Sequence, residues 1–274
     1  MKTIKWGILG LGNIANKFAH ALAVSEGATL HAVASRNKNK AEAFATQYGA
    51  SVAYGSYEEL ANDNDLDIIY IATPHGRHHQ DAILCLESGR NVLCEKALAL
   101  NLRQVEEIIA AAQAHNCFLM EAIWTRFHPN FLKMMELINE GAIGPVQLIR
   151  ADFGFKTDYD ETNRLWNPSL GGGSLLDIGI YPLFLALQVL GKPDEVQASA
   201  KLAPSGVDAS MSMQLIYKDG RRAQLFSSFE ADTLIEAELY GPERRLLMHN
   251  RWHTPAPLSL WQRNDCIQRW EFDD

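Results

Sequence analysis

Cysteine is scarce and unpatterned in this chain: Cys85, Cys94, Cys117 and Cys266 form no Cys-x-x-Cys pair and stand at irregular intervals. That excludes a disulfide framework, a thioredoxin-like motif and a zinc knuckle, and leaves reduced thiols in the cytoplasm as the expectation. Basic blocks are missing too. With 25 Lys+Arg against 33 Asp+Glu the formal net charge is -8, so no nucleic-acid partner is expected. No apolar run approaches the roughly 18 residues of a membrane span, so no membrane association is expected either. The apolar N-terminal stretch is broken by Asn13, Asn16, Lys17 and His20 before it could serve as a signal segment. There is also no internal repeat and no low-complexity linker.

What is present is a globular composition over 274 residues, 47% hydrophobic and 21% charged, enough for one large or two moderate domains. In the first part, short β-branched runs at 4–9, 30–34, 52–54, 67–72, 91–94 and 118–121 alternate with helical patterns. These include a stripe of Ile14, Phe18 and Leu22, then helices over 38–48, 79–88 and 102–115, with Ser56 and Glu59 in capping-box spacing. That alternation predicts an α/β Rossmann domain, a doubly wound parallel sheet, over 1–122. Past that point the texture changes. Helices over 130–139 and 181–190 accompany strands at 146–155, 196–202, 211–217, 222–229, 235–240 and 246–249, separated by turns such as Lys218-Asp219-Gly220. An α+β domain over 123–274 with a large, mainly antiparallel, open-faced sheet is expected.

Gly10-Leu11-Gly12-Asn13-Ile14-Ala15 is a G-x-G-x-x-A fingerprint at the first strand-to-helix turn, where the backbone must turn tightly and approach a pyrophosphate at a helix N-terminus. The next strand end separates the cofactors. No Asp or Glu lies between Glu26 and Glu42 to take the ribose hydroxyls; Ser35-Arg36 stands there instead, with Lys38 and Lys40 beyond, a set suited to a 2′-phosphate. NADP is expected rather than NAD. Two further strand ends, Thr73-Pro74-His75-Gly76-Arg77-His78 and Glu95-Lys96, point toward the same crevice. His75, His78 and His79 match no metal-ligand spacing, so no metal is expected.

The fingerprint, Thr73-Pro74 with His78, Glu95-Lys96, and Asp177 ahead of Tyr181 together resemble the glucose–fructose oxidoreductase / inositol dehydrogenase (Gfo/Idh/MocA) family over nearly the whole chain. The segment from Glu121 to Pro129, and Arg164-Leu165-Trp166-Asn167-Pro168 leading to Gly171-Gly172-Gly173, are similar to its branch of dimeric dihydrodiol dehydrogenases and NADP-dependent D-xylose dehydrogenases. The resemblance implies an oxidoreductase that moves a hydride between NADP and a hydroxyl or carbonyl carbon of a sugar, polyol or cyclic trans-diol. It implies Tyr181 as proton-transfer residue, Lys96 as the lysine of the E-K-P motif and Asp177 as the acid that orients substrate. A tyrosine of free pKa near 10 becomes a useful base when a neighbouring cation favours its phenolate.

Cofactor contacts are implied for Gly10, Gly12, Asn13, Ile14, Ser35, Arg36, Thr73, Pro74, His78, Glu95, Lys96 and Arg126, and a substrate pocket with Trp124, Phe153, Phe155 and Trp166. A homodimer through the outer face of the C-terminal sheet is implied as well, since a bare apolar face is a liability in a monomer. Ala97 departs from the motif's proline and His75 from its usual Asn. Family members usually run on with a helix and a final strand, so a family-typical C-terminal extension is expected to be missing.

Two rivals frame these expectations. The short-chain dehydrogenases need Tyr-x-x-x-Lys, and no tyrosine here has Lys four residues on. A non-catalytic NADP-binding redox sensor, or an inactive truncated member, would keep the fingerprint without turnover; Lys96, Asp177 and Tyr181 together argue against it. The cofactor expectation is checked by dissociation constants. NADP should bind more tightly than NAD, Arg36→Ala should narrow the gap, and equal affinities in the parent would remove it.

Overall fold

Successive residues of a strand face opposite ways. In β1 (Ile4–Leu9), Ile8 and Leu9 are both fully buried yet belong to different apolar clusters. The same split recurs in β4 (Ile68–Ile71), where Tyr70 joins Ile8 while Ile69 and Ile71 join Leu9. A sheet buried on both faces needs helices on both. The computed structural model describes residues 3–273 and divides into two units, Met1–Ala122 and Ile123–Asp274.

In the first unit, α1 (Asn13–Val24) and α2 (Lys38–Tyr48) cover one face, through Ala15, Ala19, Leu22, Ala41 and Phe44. The other face is covered by α3 (Tyr57–Ala61), α4 (His75–Glu87) and α5 (Leu102–Ala114). With β2 (Ala28–Ala34), β3 (Val52–Tyr54), β5 (Asn91–Glu95) and β6 (Leu119–Ala122), the strands run in the order β3-β2-β1-β4-β5-β6, all pairs parallel. The order reverses direction between β1 and β4, the switch point at which doubly wound sheets take ligands. Local chemistry starts the helices: Asn37 accepts from Lys40 N, Asn101 from Gln104 N, and Ser56 and Glu59 form the expected reciprocal cap. The helix expected at 79–88 begins earlier, at His75, directly after Pro74. Its first turn has no apolar periodicity, and an Arg77–Asp81 pair one turn apart supports it.

In the second unit, α6 (Pro129–Asn139) and α7 (Ile180–Leu190) pack on one face of an eight-stranded sheet. Its strands are β7 (Leu148–Gly154), β8 (Glu195–Leu202), β9 (Asp208–Ile216), β10 (Arg222–Ser228), β11 (Ala237–Tyr240), β12 (Arg244–Met248), β13 (Leu258–Gln262) and β14 (Asp265–Trp270). Their order is β14-β13-β12-β11-β7-β10-β9-β8, and within this sheet β7–β10 is the one parallel pair among the described residues. The last hairpin, β13 and β14, was not expected from the sequence: Pro255 and Pro257 interrupt the approach to it, and β14 is almost wholly exposed, so it carries no apolar alternation. At the opposite edge, β8 is exposed along all its length.

Alternation also decides the outer face. Ile149 and Ala151 turn inward to the core, and Arg150 and Asp152 turn outward. The register then lines up Glu238, Arg150, Gln224, Gln214 and Gln197 as a polar row across five strands. The outer face is therefore not bare apolar surface, and the solubility argument for covering it does not apply.

Counting its 3-10, π and α turns together, Pro168–Leu190 is long and apolar enough to cross a membrane, although 61% of its most apolar window is buried inside the protein. Tyr181, Phe184, Leu185, Ala186 and Leu190 place it in the core of this unit. All four cysteines are free, with Cys85 and Cys94 buried and Cys266 exposed on β14. Burial pushes the Cys85 and Cys94 thiols far up, which makes them inert packing groups.

Candidate active site

In the first unit, the turn after β1 and the turn after β4 press on each other. Gly10 has φ +89°, and a Cβ there would lie 2.8 Å from Thr73 Cγ2 and 3.0 Å from Thr73 N, so both conformation and space call for glycine. Gly12 faces the opposite situation: a Cβ would meet nothing nearer than Ala72 O at 4.0 Å. It caps α1 with no side-chain hydrogen bond and no acid in the first turn. The first turn of α1 thus begins without a side-chain cap, at exposed Gly12 and Asn13 with Ile14 following, which fits a pyrophosphate.

At the end of β2, Ser35 N donates to Tyr54 O at 3.3 Å, and Ser35 Oγ accepts from Asn37 N at 3.2 Å. The exposed Arg36 lies beside the Tyr57 hydroxyl, and Arg77 sits 5.4 Å above the Tyr57 ring. Burial pushes the Tyr57 phenol up, and the two guanidiniums oppose that. Lys38 donates one ammonium hydrogen bond to Ala53 O, and Arg36, Lys38 and Lys40 are all exposed. The residues present therefore fit a dinucleotide with a 2′-phosphate, and no carboxylate stands at the end of β2 to oppose one.

The other two strand ends are fastened from below. Thr73 Oγ1 donates to the buried Asp81 at 2.8 Å, and Arg77 Nη2 reaches the other Asp81 oxygen at 2.7 Å. Pro74 caps α4. His78 is fully buried, with Nδ1 2.7 Å from Ala97 O and Nε2 2.7 Å from Thr73 O. It ties the end of β4 to the residue after Lys96, and burial pushes its imidazole down from the usual range. Glu95 accepts from the Tyr70 hydroxyl and, at 3.3 Å, from Lys96 N. Lys96 is half-buried, and the Lys96–Ala97 peptide is cis. His79 turns the other way, to Glu107 at 2.7 Å. Elsewhere, His31, Asp63 and Asp65 bring three ligand atoms within 4.8 Å of one another. Their carboxylates already engage the Tyr54 hydroxyl at 3.1 Å and Lys5 at 3.4 Å.

In the second unit, the chemistry gathers where a π turn (Leu175–Gly179) enters α7. Asp177 and Tyr181 are both buried, at 5% exposure each. Asp177 is held by Arg164 through Nη1–Oδ1 at 3.0 Å and Nη2–Oδ2 at 3.4 Å. Phe153 lies 5.6 Å from the Tyr181 ring, and His253 stacks on Phe153 at 4.2 Å and stands 5.2 Å from Tyr181. Two buried polar groups fix the segment bearing His253: Thr125 Oγ1 donates to His253 O at 2.8 Å, and Asn130 Nδ2 to Trp252 O at 3.0 Å and Thr254 O at 2.8 Å.

Of the four expected pocket aromatics, Phe153 stands beside Tyr181. Phe155 and Trp166 pack on Phe229, each at 5.3 Å, with Trp166 Nε1 donating to Asp158 O at 2.9 Å. Trp124 pairs with His128 at 5.9 Å. Arg126 is exposed, its guanidinium 5.5 Å over the Phe184 ring. His253 was missed by sequence reasoning, since it lies in an irregular segment far along the chain with no motif around it.

Comparison with known proteins agrees across both units. Residues 4–123 match the family model described as "Oxidoreductase family, NAD-binding Rossmann fold", and residues 131–247 match "GFO/IDH/MocA C-terminal domain". A trans-1,2-dihydrobenzene-1,2-diol dehydrogenase of Xenopus tropicalis is 42% identical over 241 residues, which is 86% of this chain and 72% of the relative. The mouse protein of that name is 37% identical over 261 residues, 94% of this chain and 77% of its own. Among solved structures, a 3-ketoreductase from Actinomadura kijaniata in complex with NADP and TDP-benzene has TM-score 0.88 and 26% identity, covering 98% of this chain and 84% of that one. An aldose-aldose oxidoreductase from Caulobacter crescentus complexed with glycerol has TM-score 0.90 and 26% identity, covering 100% and 85%.

Proposed function

The chain belongs to the GFO/IDH/MocA oxidoreductase family, and from that premise we propose that it is an NADP-dependent dehydrogenase acting on a carbinol of a cyclic trans-diol or a sugar. The observation that carries the reading is the second unit's buried pair, Asp177 and Tyr181, on one helical entry, in a chain whose first unit offers an uncapped, open dinucleotide turn. A sensor without turnover is not favoured, because relatives matching most of the chain are named as dehydrogenases and oxidoreductases.

When bound, NADP supplies the acceptor for a hydride from the carbinol carbon. The chain's own work is to handle the hydroxyl proton and to hold the ring. Tyr181 takes the proton, Lys96 supplies the positive charge that favours its phenolate, and Asp177 accepts from a second substrate hydroxyl. Phe153, stacked with His253 beside Tyr181, offers an apolar face against which a planar diene-diol or the CH face of a sugar ring packs. Gly10, Gly12, Asn13, Ile14, Thr73, Pro74, Glu95 and His78 shape the nucleotide end, Ser35 and Arg36 receive the 2′-phosphate, and Arg126 adds a cation. Trp124, Phe155 and Trp166 complete the pocket wall. Four cysteines that form no disulfide are in keeping with a cytoplasmic setting.

NADP⁺ reduction by the purified protein, measured against aldoses, inositols and trans-cyclic diols, tests the class of reaction; failure with every substrate while NADPH binds tightly would hand the case to the sensor. Tyr181→Phe should lower turnover by a factor on the order of 10² or more and leave NADPH affinity intact, and near-parental turnover would remove the assignment. We further propose a homodimer through the outer sheet face, where a shallow groove is lined by Arg150, Asp152, Gln214, Gln224, Phe226 and Glu236. Light scattering at micromolar protein should return twice the 30.6 kDa chain mass; a monomer across the concentration range would exclude it.

A further inference from the structure

Asp177 does not sit alone in its turn. The Arg164 guanidinium meets it fork to fork, at 3.0 and 3.4 Å, and the two side chains differ sharply in exposure, 55% for Arg164 and 7% for Asp177. Arg164 lies in a long irregular segment between β7 and the π turn, so helix or strand geometry does not fix it. Glycine packing does. Gly173 N donates to Leu165 O at 2.9 Å and Gly172 N to Asn167 O at 3.0 Å. A Cβ on Gly172 would lie 2.6 Å from Leu165 O and 2.9 Å from Arg164 O. The backbone of Arg164 is therefore clasped against the glycine turn that leads into Asp177, which brings the guanidinium to the carboxylate.

We propose that Arg164 is a positioning residue for the oxidoreductase reaction: it holds the Asp177 carboxylate in one orientation, so that Asp177 accepts from the substrate hydroxyl next to the reacting one. This rests on the proposed role of Asp177. A carboxylate has about four acceptor sites, and the guanidinium takes one on each oxygen. A neutral hydroxyl is the substrate group that suits such a carboxylate as donor; a substrate carboxylate or phosphate there would face like charge. Lysine keeps the charge but lacks the planar fork, so it restores part of the effect only.

The test uses the full chain, NADP⁺ and two probes, trans-1,2-dihydrobenzene-1,2-diol and D-xylose, with the parent, Arg164→Met, Arg164→Lys, Asp177→Asn and the Arg164→Met/Asp177→Asn double variant. Arg164→Met should lower kcat/KM about tenfold, chiefly by raising KM, with NADPH affinity unchanged, and Arg164→Lys should fall between it and the parent. In the Asp177→Asn background the same Arg164→Met change should do nothing further, because its effect runs through the missing carboxylate. Parental kinetics in Arg164→Met, or additive losses in the double variant, overturn the proposal while the dehydrogenase reading stands. Loss of NADPH binding in both Arg164 variants makes Arg164 a support of the fold and also overturns it. A parent inactive on both probes and on every other aldose, inositol and trans-cyclic diol of the panel overturns the reading and the inference together.

Discussion

The Asp208 carboxylate accepts from Ser174 Oγ at 2.7 Å and from Leu175 N at 2.6 Å, and the turn that carries Asp177 and Tyr181 is placed from that anchor. A half-buried carboxylate is costly unless hydrogen-bonded, and here both bonds come from the residues whose position matters. Gly173 shows how closely the anchor is approached, since a Cβ would stand 2.2 Å from Asp208 Oδ1. Ser174 also meets Ser227 Oγ at 3.0 Å, joining the turn to the sheet through β10. The π turn is thereby held at its start, by Asp208, and along its side, by Arg164. Those two contacts, with Ser227, fix where Asp177 and Tyr181 stand.

The first unit fastens its loops differently. Where the second unit uses carboxylates on a turn, the first ties one strand end to the next. His78 bridges Thr73 and Ala97, and Glu121 accepts from Leu98 N at 2.7 Å. The backbone on either side of Lys96 is thus held at short range. Asp81 repeats the strategy under Thr73, where its two oxygens are shared between a hydroxyl and a guanidinium.

The layout of the first unit was legible because a parallel sheet covered on both faces leaves continuous apolar runs, and because the glycine fingerprint marks the tight turn between β1 and α1. Asp177 and Tyr181 were legible through resemblance, since nothing in their spacing alone separates them from a packed helix start. Much of their support was not. Asp208 contacts Ser174 across a span of 34 residues, and Thr125 reaches His253 across 128, and such polar contacts leave no periodicity. The β13–β14 hairpin escaped for a related reason, because an exposed edge strand need not alternate. The polar outer row reads cleanly only once the register is known: Arg150 and Gln224 are unremarkable until they stand side by side.

The exposed β8 ends the large sheet with a row of backbone donors and acceptors that no neighbouring strand takes. Such a border is a template on which further strands could add without limit, so the chain's colloidal behaviour at high concentration is decided there. Glu195, Gln197 and Lys201 occupy it, and Lys201 is paired to Glu230 at 2.6 Å. An incoming strand would have to desolvate that charge and bury polar side chains, while copies of net charge -8 repel one another on approach. Glu195 and Lys201 thus act as gatekeepers on an edge that also exposes Val196 and Leu202.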